Sequence, residues 1–342
     1  MSLKVTFFQR KPFEFQFSIE TLFHALRKSL PADIEQKVSI SKYESKGLWK
    51  RLYNVWEASR KQGEINHVTG DVNYLAIGLK KYKTILTIHD CGFMRHPSAL
   101  ARWLLKWFWL KLPVQASEMV TVISETTKAD LLTYVNCDPA KIRVIPDFIS
   151  EAFQPAPKQF NQSKPVILQV GVKPNKNVER LVEALQGIDC HLEIIGKPWP
   201  KTLEALEKKQ ISYHWQANLT EEEVVEKYKE CDMLAFVSTL EGFGMPIIEA
   251  HTIERPVVTS NLSSMPEVAG EAACLVDPYD VSSIRQGVLK VIEEETYRTS
   301  LIEKGRENRK RFAKEKIAEQ YYQLYQEIYA NHRKNKDRLI KV

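Results

Sequence analysis

Residues 232–250 read DMLAFVSTLEGFGMPIIEA. The apolar run 233–237 has the length and composition of a buried strand, the two glycines mark a turn, and Pro246 suits the first turn of a helix. Two glutamates, Glu241 and Glu249, bracket the Gly242-Phe243-Gly244 turn. In a parallel sheet, the loop beyond a strand's carboxyl end opens on the crevice where ligands bind. Glu249 falls one turn into the helix, and helix side chains lean back toward the helix start. Both carboxylates could then accept from hydroxyl groups of one ligand. The glycines let a backbone come close, and the free N–H groups of a helix start suit an oxygen-rich or anionic ligand. An exposed loop glutamate followed by a helix-favouring one has the same spacing, so these residues alone leave both readings open.

The alternation extends outward. PVILQVG (165–171), HLEIIG (191–196), ISYHWQ (211–216) and RPVVTS (255–260) read as strands. Helical stretches 177–187, 202–209 and 221–231 separate the first three and the run at 233. The amino-terminal half repeats the pattern, with strand-like runs at 3–8, 64–69, 84–89, 119–124 and 142–146 and a helix over 18–30 that Ser18 would cap. Such βα alternation predicts α/β architecture with parallel, doubly wound sheets. Between two strands, IPDFISEAFQPAPKQFNQSKP (145–165) clusters prolines and polar residues and reads as a linker. The expected organisation is two Rossmann-like domains facing across a cleft, residues 1–152 and 153–311. A final helix (312–342) carries Ile317, Tyr321, Leu324, Tyr325 and Ile328 on one side. It has two places to go, an extra helix on the second domain or a return to the first, and the return, packing 312–342 on the first domain, is the expectation.

A length of 342 residues accommodates two ordinary domains, and 27% charged residues is a globular value. The net charge of +6 favours anionic partners without choosing among them. The cysteines at 91, 137, 190, 231 and 274 are scattered, odd in number and free of CxxC pairs, which points to reduced thiols in a cytoplasmic protein and away from a zinc site. No apolar run has the length of a signal peptide or a membrane span. No G-x-G-x-x-G follows the first strand of either half, which argues against a dinucleotide oxidoreductase. The cations form no recognisable nucleic-acid motif, so no nucleic-acid partner is expected, although a non-enzymatic basic binding protein is the alternative from a different class.

The stretch EGFGMPIIEA (241–250) resembles the hallmark of the family 4, group 1 retaining nucleotide-sugar glycosyltransferases, which have the GT-B fold: two glutamates with seven residues between them. RPVVTSNLSSMPEVAGEAACLVDPYD (255–280), VGVKPNKNVERLVEAL (170–185), MVTVISETTKADL (119–131), IRVIPDFI (142–149) and TIHD (87–90) also look like that family, in the family's order. The resemblance implies that Glu249 binds the nucleotide ribose and Glu241 the transferred sugar. Amides of Gly242, Phe243, Gly244 and Met245 would meet sugar hydroxyls and the diphosphate. Gly171 would open the phosphate loop, and Lys176 would neutralise the diphosphate as it leaves. Lys173 stands where the family often has an arginine and would act only as a point charge. Loops at Gly196-Lys197 and Asn218-Leu219 would contact the base. Asp147 stands where many members have Asn-Gly, so no role is carried onto it.

His89, after the strand-like TILTI, is assigned a donor-sugar contact by the same resemblance, since no proton-transfer partner is visible beside it. Otherwise it would read as a structural histidine capping its loop. The implied reaction is front-face displacement with retention, with no metal and no cofactor besides the UDP- or GDP-linked donor. Base, sugar, acceptor and oligomeric state stay open. A glycan or lipid-linked glycan acceptor in envelope polysaccharide synthesis is the expected class, with a nucleotide-sugar epimerase as the enzymatic alternative. SALARWLLKWFWLKLPV (98–114) places Arg102, Trp103, Lys106 and Trp107 on a helix that is apolar over most of its circumference. It reads equally as a helix packed on the sheet and as an interfacial helix, giving a possible peripheral location on the inner face of a membrane. The basic runs near 309 and at 332–342 would assist.

Overall fold

The computed structural model describes residues 2–12 and 18–340. The chain divides into two units, residues 1–148 with 314–342, and residues 149–313. It passes between them twice, after Phe148 and before Lys314.

The first unit holds a six-stranded sheet of β1 (Leu3–Gln9), β2 (Ile34–Ile40), β3 (Ile65–Val68), β4 (Thr84–Ile88), β5 (Met119–Val122) and β6 (Ile142–Val144), in the order β2-β1-β3-β4-β5-β6. The second holds β7 (Val166–Val170), β8 (His191–Ile195), β9 (Ser212–Gln216), β10 (Met233–Phe236), β11 (Val257–Ser260) and β12 (Cys274–Val276), in the order β12-β11-β10-β7-β8-β9. Every strand pair is parallel. Helices therefore cover both faces, and the central strands β3, β4, β10 and β11 are buried at every residue.

β2 and β12 escape the sequence reading for a physical reason. Both are edge strands: IEQKVSI alternates charged and polar residues and buries only Ile34 and Ser39, and β12 is three residues long, too short to stand out as a strand. The helix expected at 18–30 spans Ser18–Ser29, and the Ser18 side chain lies outside the described residues.

The final helix, Lys314–Ile340, buries Ile317, Tyr321, Leu324, Tyr325 and Ile328 in one core with Val5, Phe7, Phe23 and Ile65 of the first unit. Its side chains from 334 onward lie outside the described residues, so the basic run 332–342 is described only at its start. His67 on β3 ties this helix to the sheet: its Nδ1 lies 2.8 Å from the Tyr325 hydroxyl and its Nε2 2.7 Å from Thr87 Oγ1. Burial pushes the imidazole down to about 3, so it is neutral there.

Candidate functional site

In the second sheet the strand order reverses between neighbours β7 and β10, the topological switch point where open α/β sheets bind ligands. The loops leaving these two strands carry the residues singled out in the sequence.

After β7 the chain turns at Gly171, whose φ is +85°. A Cβ there would come within 3.0 Å of the Lys176 Cε, so the missing side chain makes room for the lysine stem. Lys176 closes a one-turn 3-10 helix, Pro174–Lys176. Its Nζ lies 2.6 Å from Glu241 Oε1 and 4.6 Å from the Phe236 ring centre at the end of β10. Asn175 locks the two loops together. Its carbonyl accepts from the Thr239 N–H at 2.8 Å, and its side-chain amide donates to Leu240 O at 2.8 Å and to Glu241 Oε1 at 3.3 Å.

Glu241 is held at its backbone as well. The Ser263 hydroxyl donates to Glu241 O at 2.6 Å and accepts from the Glu241 N–H at 3.1 Å. Ser264 Oγ reaches Phe243 O at 2.6 Å. Thus the serines of NLSSMPE pin the turn that opens the helix Met245–Thr252. Gly244, at φ +114°, precedes that helix, with its first N–H groups at the same end of the sheet. Pro246 is its second residue.

One turn later the partly buried Glu249 receives a 2.6 Å hydrogen bond from Tyr228 on helix Glu221–Glu230. Tyr228 is fully buried and meets Phe153 edge-on. Burial raises the Glu249 carboxyl to about 7; the Tyr228 bond and the Lys176 charge oppose this, and Glu221 adds to it. Lys176 therefore acts electrostatically on both carboxylates, bonding one and attracting the other.

Lys173 is exposed beside this cluster. Gly196 follows β8 at φ +124° with its N–H bonded to Gln216 O, and Asn218, exposed and left-handed at φ +59°, follows β9 with half-buried Leu219. All stand at the carboxyl end of the same sheet. Sequence reasoning passed over Tyr228, Asn175, Ser263 and Ser264. The quoted stretches 170–185 and 255–280 contain Asn175 and the two serines, and nothing in the sequence pointed to Tyr228.

His89 belongs to the first unit. Its Nε2 lies 3.0 Å from Thr69 O and its Nδ1 4.0 Å from Asp147, a residue left without a role above. Burial holds the Asp147 carboxyl above its usual range, and His89 opposes that rise. Gly70 packs so closely that a Cβ would meet the His89 ring at 2.6 Å. The ring is thus fixed by the loop after β3. His251 and His191 have partners in the second unit: His251 bonds Ala272 O and Asn308, and His191 bonds Ser212.

The tryptophan-rich stretch departs from a single regular helix. It runs as α-helix Ala99–Leu105, π-helical turn Lys106–Lys111 and α-helix Leu112–Gln115, so side chains beyond Leu105 are rotated from the positions a 100° period gives. Leu110 and Val114 are buried, Trp107 is half-buried, and Trp103 is exposed. Arg102 donates to the His96 and Pro97 carbonyls. Among the described residues, no helix is long and apolar enough to cross a membrane.

Residues 150–308 match the glycosyl transferases group 1 family, and residues 43–153 match glycosyltransferase family 4. O-antigen chain mannosyltransferase B of Escherichia coli is 23% identical over 273 residues, 71% of this chain and 70% of that one. Serotype-specific mannosyltransferase WbdA of the same organism is 27% identical over 165 residues, 44% of this chain but only 20% of its own length. Sucrose-phosphate synthase from Thermosynechococcus elongatus superposes with a TM-score of 0.77 at 17% identity, covering 96% of this chain and all of that one. Anabaena Alr3699/HepE, solved in complex with UDP and glucose, gives 0.76 at 14% identity over 95% of this chain and all of HepE. At these identities the solved structures speak to the fold, which is GT-B. With both family matches running consecutively along it, the chain belongs to the family 4, group 1 glycosyltransferases.

Proposed function

We propose that this glycosyltransferase moves a hexose from a nucleoside-diphosphate sugar to a hydroxyl of a glycan or lipid-linked glycan, with retention of anomeric configuration and without a metal ion. The observation that carries the reading is the ion pair of Lys176 and Glu241 beside the start of helix Met245–Thr252, at the switch point of the second sheet. Lys176 would face the diphosphate and hold the charge that grows as it leaves, with the helix N–H groups adding to it. Glu241 would accept from sugar hydroxyls and Glu249 from the ribose. The departing phosphate oxygen would take the proton of the acceptor hydroxyl as the new bond forms on the same face, so no carboxylate nucleophile is needed. His89, on the first unit, spends its Nε2–H on Thr69 O, which leaves Nδ1 to accept from a sugar hydroxyl.

The named relatives that are mannosyltransferases favour a mannosyl donor and an acceptor in polysaccharide synthesis, and the UDP bound by HepE supports a nucleoside-diphosphate donor. NMR of the glycoside formed from an α-linked donor, with and without EDTA, tests the reading. An α-linked product in both samples is expected; a β-linked product would remove retention, and loss of turnover in EDTA would remove metal independence.

A further inference from the structure

The helix Leu48–Ser59 is amphipathic in the inverted sense. It buries Asn54 and Ala58, while Leu48 is 66% and Trp49 81% exposed, with Leu52 and Trp56 exposed on the same side. Asn54 is satisfied inward, its amide donating to Tyr43 O at 2.8 Å and to the Tyr74 hydroxyl at 3.2 Å. The apolar side of this helix is therefore left largely uncovered by the described residues of its unit, Trp56 meeting Tyr53 and Arg60 of the same stretch. The segment Ala99–Gln115 does the same: Leu100 is 69% and Trp103 56% exposed, with Leu104 and Phe108 beside them.

The two elements are neighbours. Both dock on the short helix Asn73–Gly78, whose own Ile77 is exposed. Tyr74 from that helix bonds Asn54 on one side and packs its ring 5.2 Å from Trp109 on the other, and Asn73 donates to Trp109 O at 2.9 Å. The Arg51 guanidinium, 4.6 Å over the Trp109 ring, bridges the two directly.

Charge decides what covers this surface. Residues 42–61 and 95–117 carry ten Lys or Arg against two Glu, a surplus larger than the +6 of the whole chain. The remainder of the protein is net acidic. The cations interleave with the aromatics: Lys111 Nζ lies 3.9 Å over the Trp107 ring and Arg60 4.5 Å over Trp56. Two adjoining elements that both expose large apolar side chains are uncommon on a monomer that stays free in water. A second copy seated on it would bring two positive surfaces together. Tryptophan and leucine rimmed by lysine and arginine match the headgroup level of an anionic bilayer.

We propose that helix Leu48–Ser59 and the segment Ala99–Gln115 form one docking surface for an anionic lipid bilayer. The inference is independent of the donor-site reading, since none of these residues belongs to it. Co-sedimentation of the full chain with phosphatidylcholine vesicles, with and without phosphatidylglycerol and at low and high salt, tests it. Binding should require the anionic lipid, fall with salt and shift tryptophan fluorescence to the blue. The double variant Trp49→Ser/Trp103→Ser should bind at least about tenfold more weakly while melting as the parent does. Lys50→Glu/Lys106→Glu should lose anionic-lipid preference. Equal binding to neutral vesicles, indifference to both variants, or a dimer that the variants dissociate would each overturn the proposal, the last by showing a second copy as the occupant.

Discussion

Lys176 and Glu241 stand 65 residues apart in sequence and 2.6 Å apart in space, joined where β7 and β10 end side by side. Asn175 gives Glu241 a second partner, so removing the lysine leaves the carboxylate bonded. Lys176→Ala should therefore cost little stability, on the order of 1 kcal/mol for a partly exposed pair. Turnover should fall by about 10²–10³, because the lost charge matters most as the diphosphate departs. Steady-state kinetics beside a melting curve separate the two; loss of folding with normal residual turnover would make Lys176 structural.

Tyr228 supplies the proton that one oxygen of Glu249 accepts, leaving the other for a ligand. Glu249→Ala should weaken nucleoside-diphosphate binding by about 1–3 kcal/mol. Tyr228→Phe should weaken it less, and the loss should shrink at high pH, because the missing hydroxyl no longer helps keep Glu249 ionised. Calorimetry at two pH values reads this; unchanged affinity in Glu249→Ala would take that residue out of the site.

The pH dependence has opposite signs for folding and for binding. Glu249 sits at about 7, above its usual 4.5, so folding favours its protonated form. That stabilisation is complete below the usual value and is lost as pH rises through about 7. Ribose hydroxyls need the carboxylate, so nucleotide affinity should rise over the same window, by up to about tenfold per pH unit below 7. Glu249→Gln should flatten the part of the profile that the nucleotide's own phosphate does not explain. A wild-type profile equal to that of Glu249→Gln would place the titration elsewhere.

What the sequence made legible follows from where each signal lies. β7 and β10 are apolar runs in the middle of a sheet, and the loops after them bear the glycines and carboxylates themselves, so the core of the candidate site could be read directly. β2, with its edge position and polar residues, offers no such run. Tyr228 could not be paired with Glu249 from sequence, because its hydroxyl arrives from a helix whose periodicity reports only burial. The π-turn at Lys106–Lys111 likewise breaks the period on which the reading of Lys106 and Trp107 depended. Asp147 gained a neighbour in His89 only once β4 and β6 lay in one sheet, which brings the segments after their carboxyl ends together.

The last helix places Tyr321 and Tyr325 in the core of the first unit and gives His67 one of its two bonds. Removing residues 314–342 should leave that imidazole short of a partner and strip the core of its cover. Hydrogen exchange in residues 2–148 of the truncated chain should accelerate. Protection lost only within 149–313 would show that the helix supports the second unit instead.

The central claim is that Lys176, Glu241 and Glu249 hold a nucleotide-sugar for transfer. Its most direct test is nucleoside-diphosphate release from a panel of nucleotide-sugars, including GDP-mannose and UDP-glucose, by the wild type, Lys176→Ala and Glu241→Gln. One donor should be turned over by the wild type and by neither variant at more than about a hundredth of that rate. Release that is equal in all three folded proteins would contradict the account.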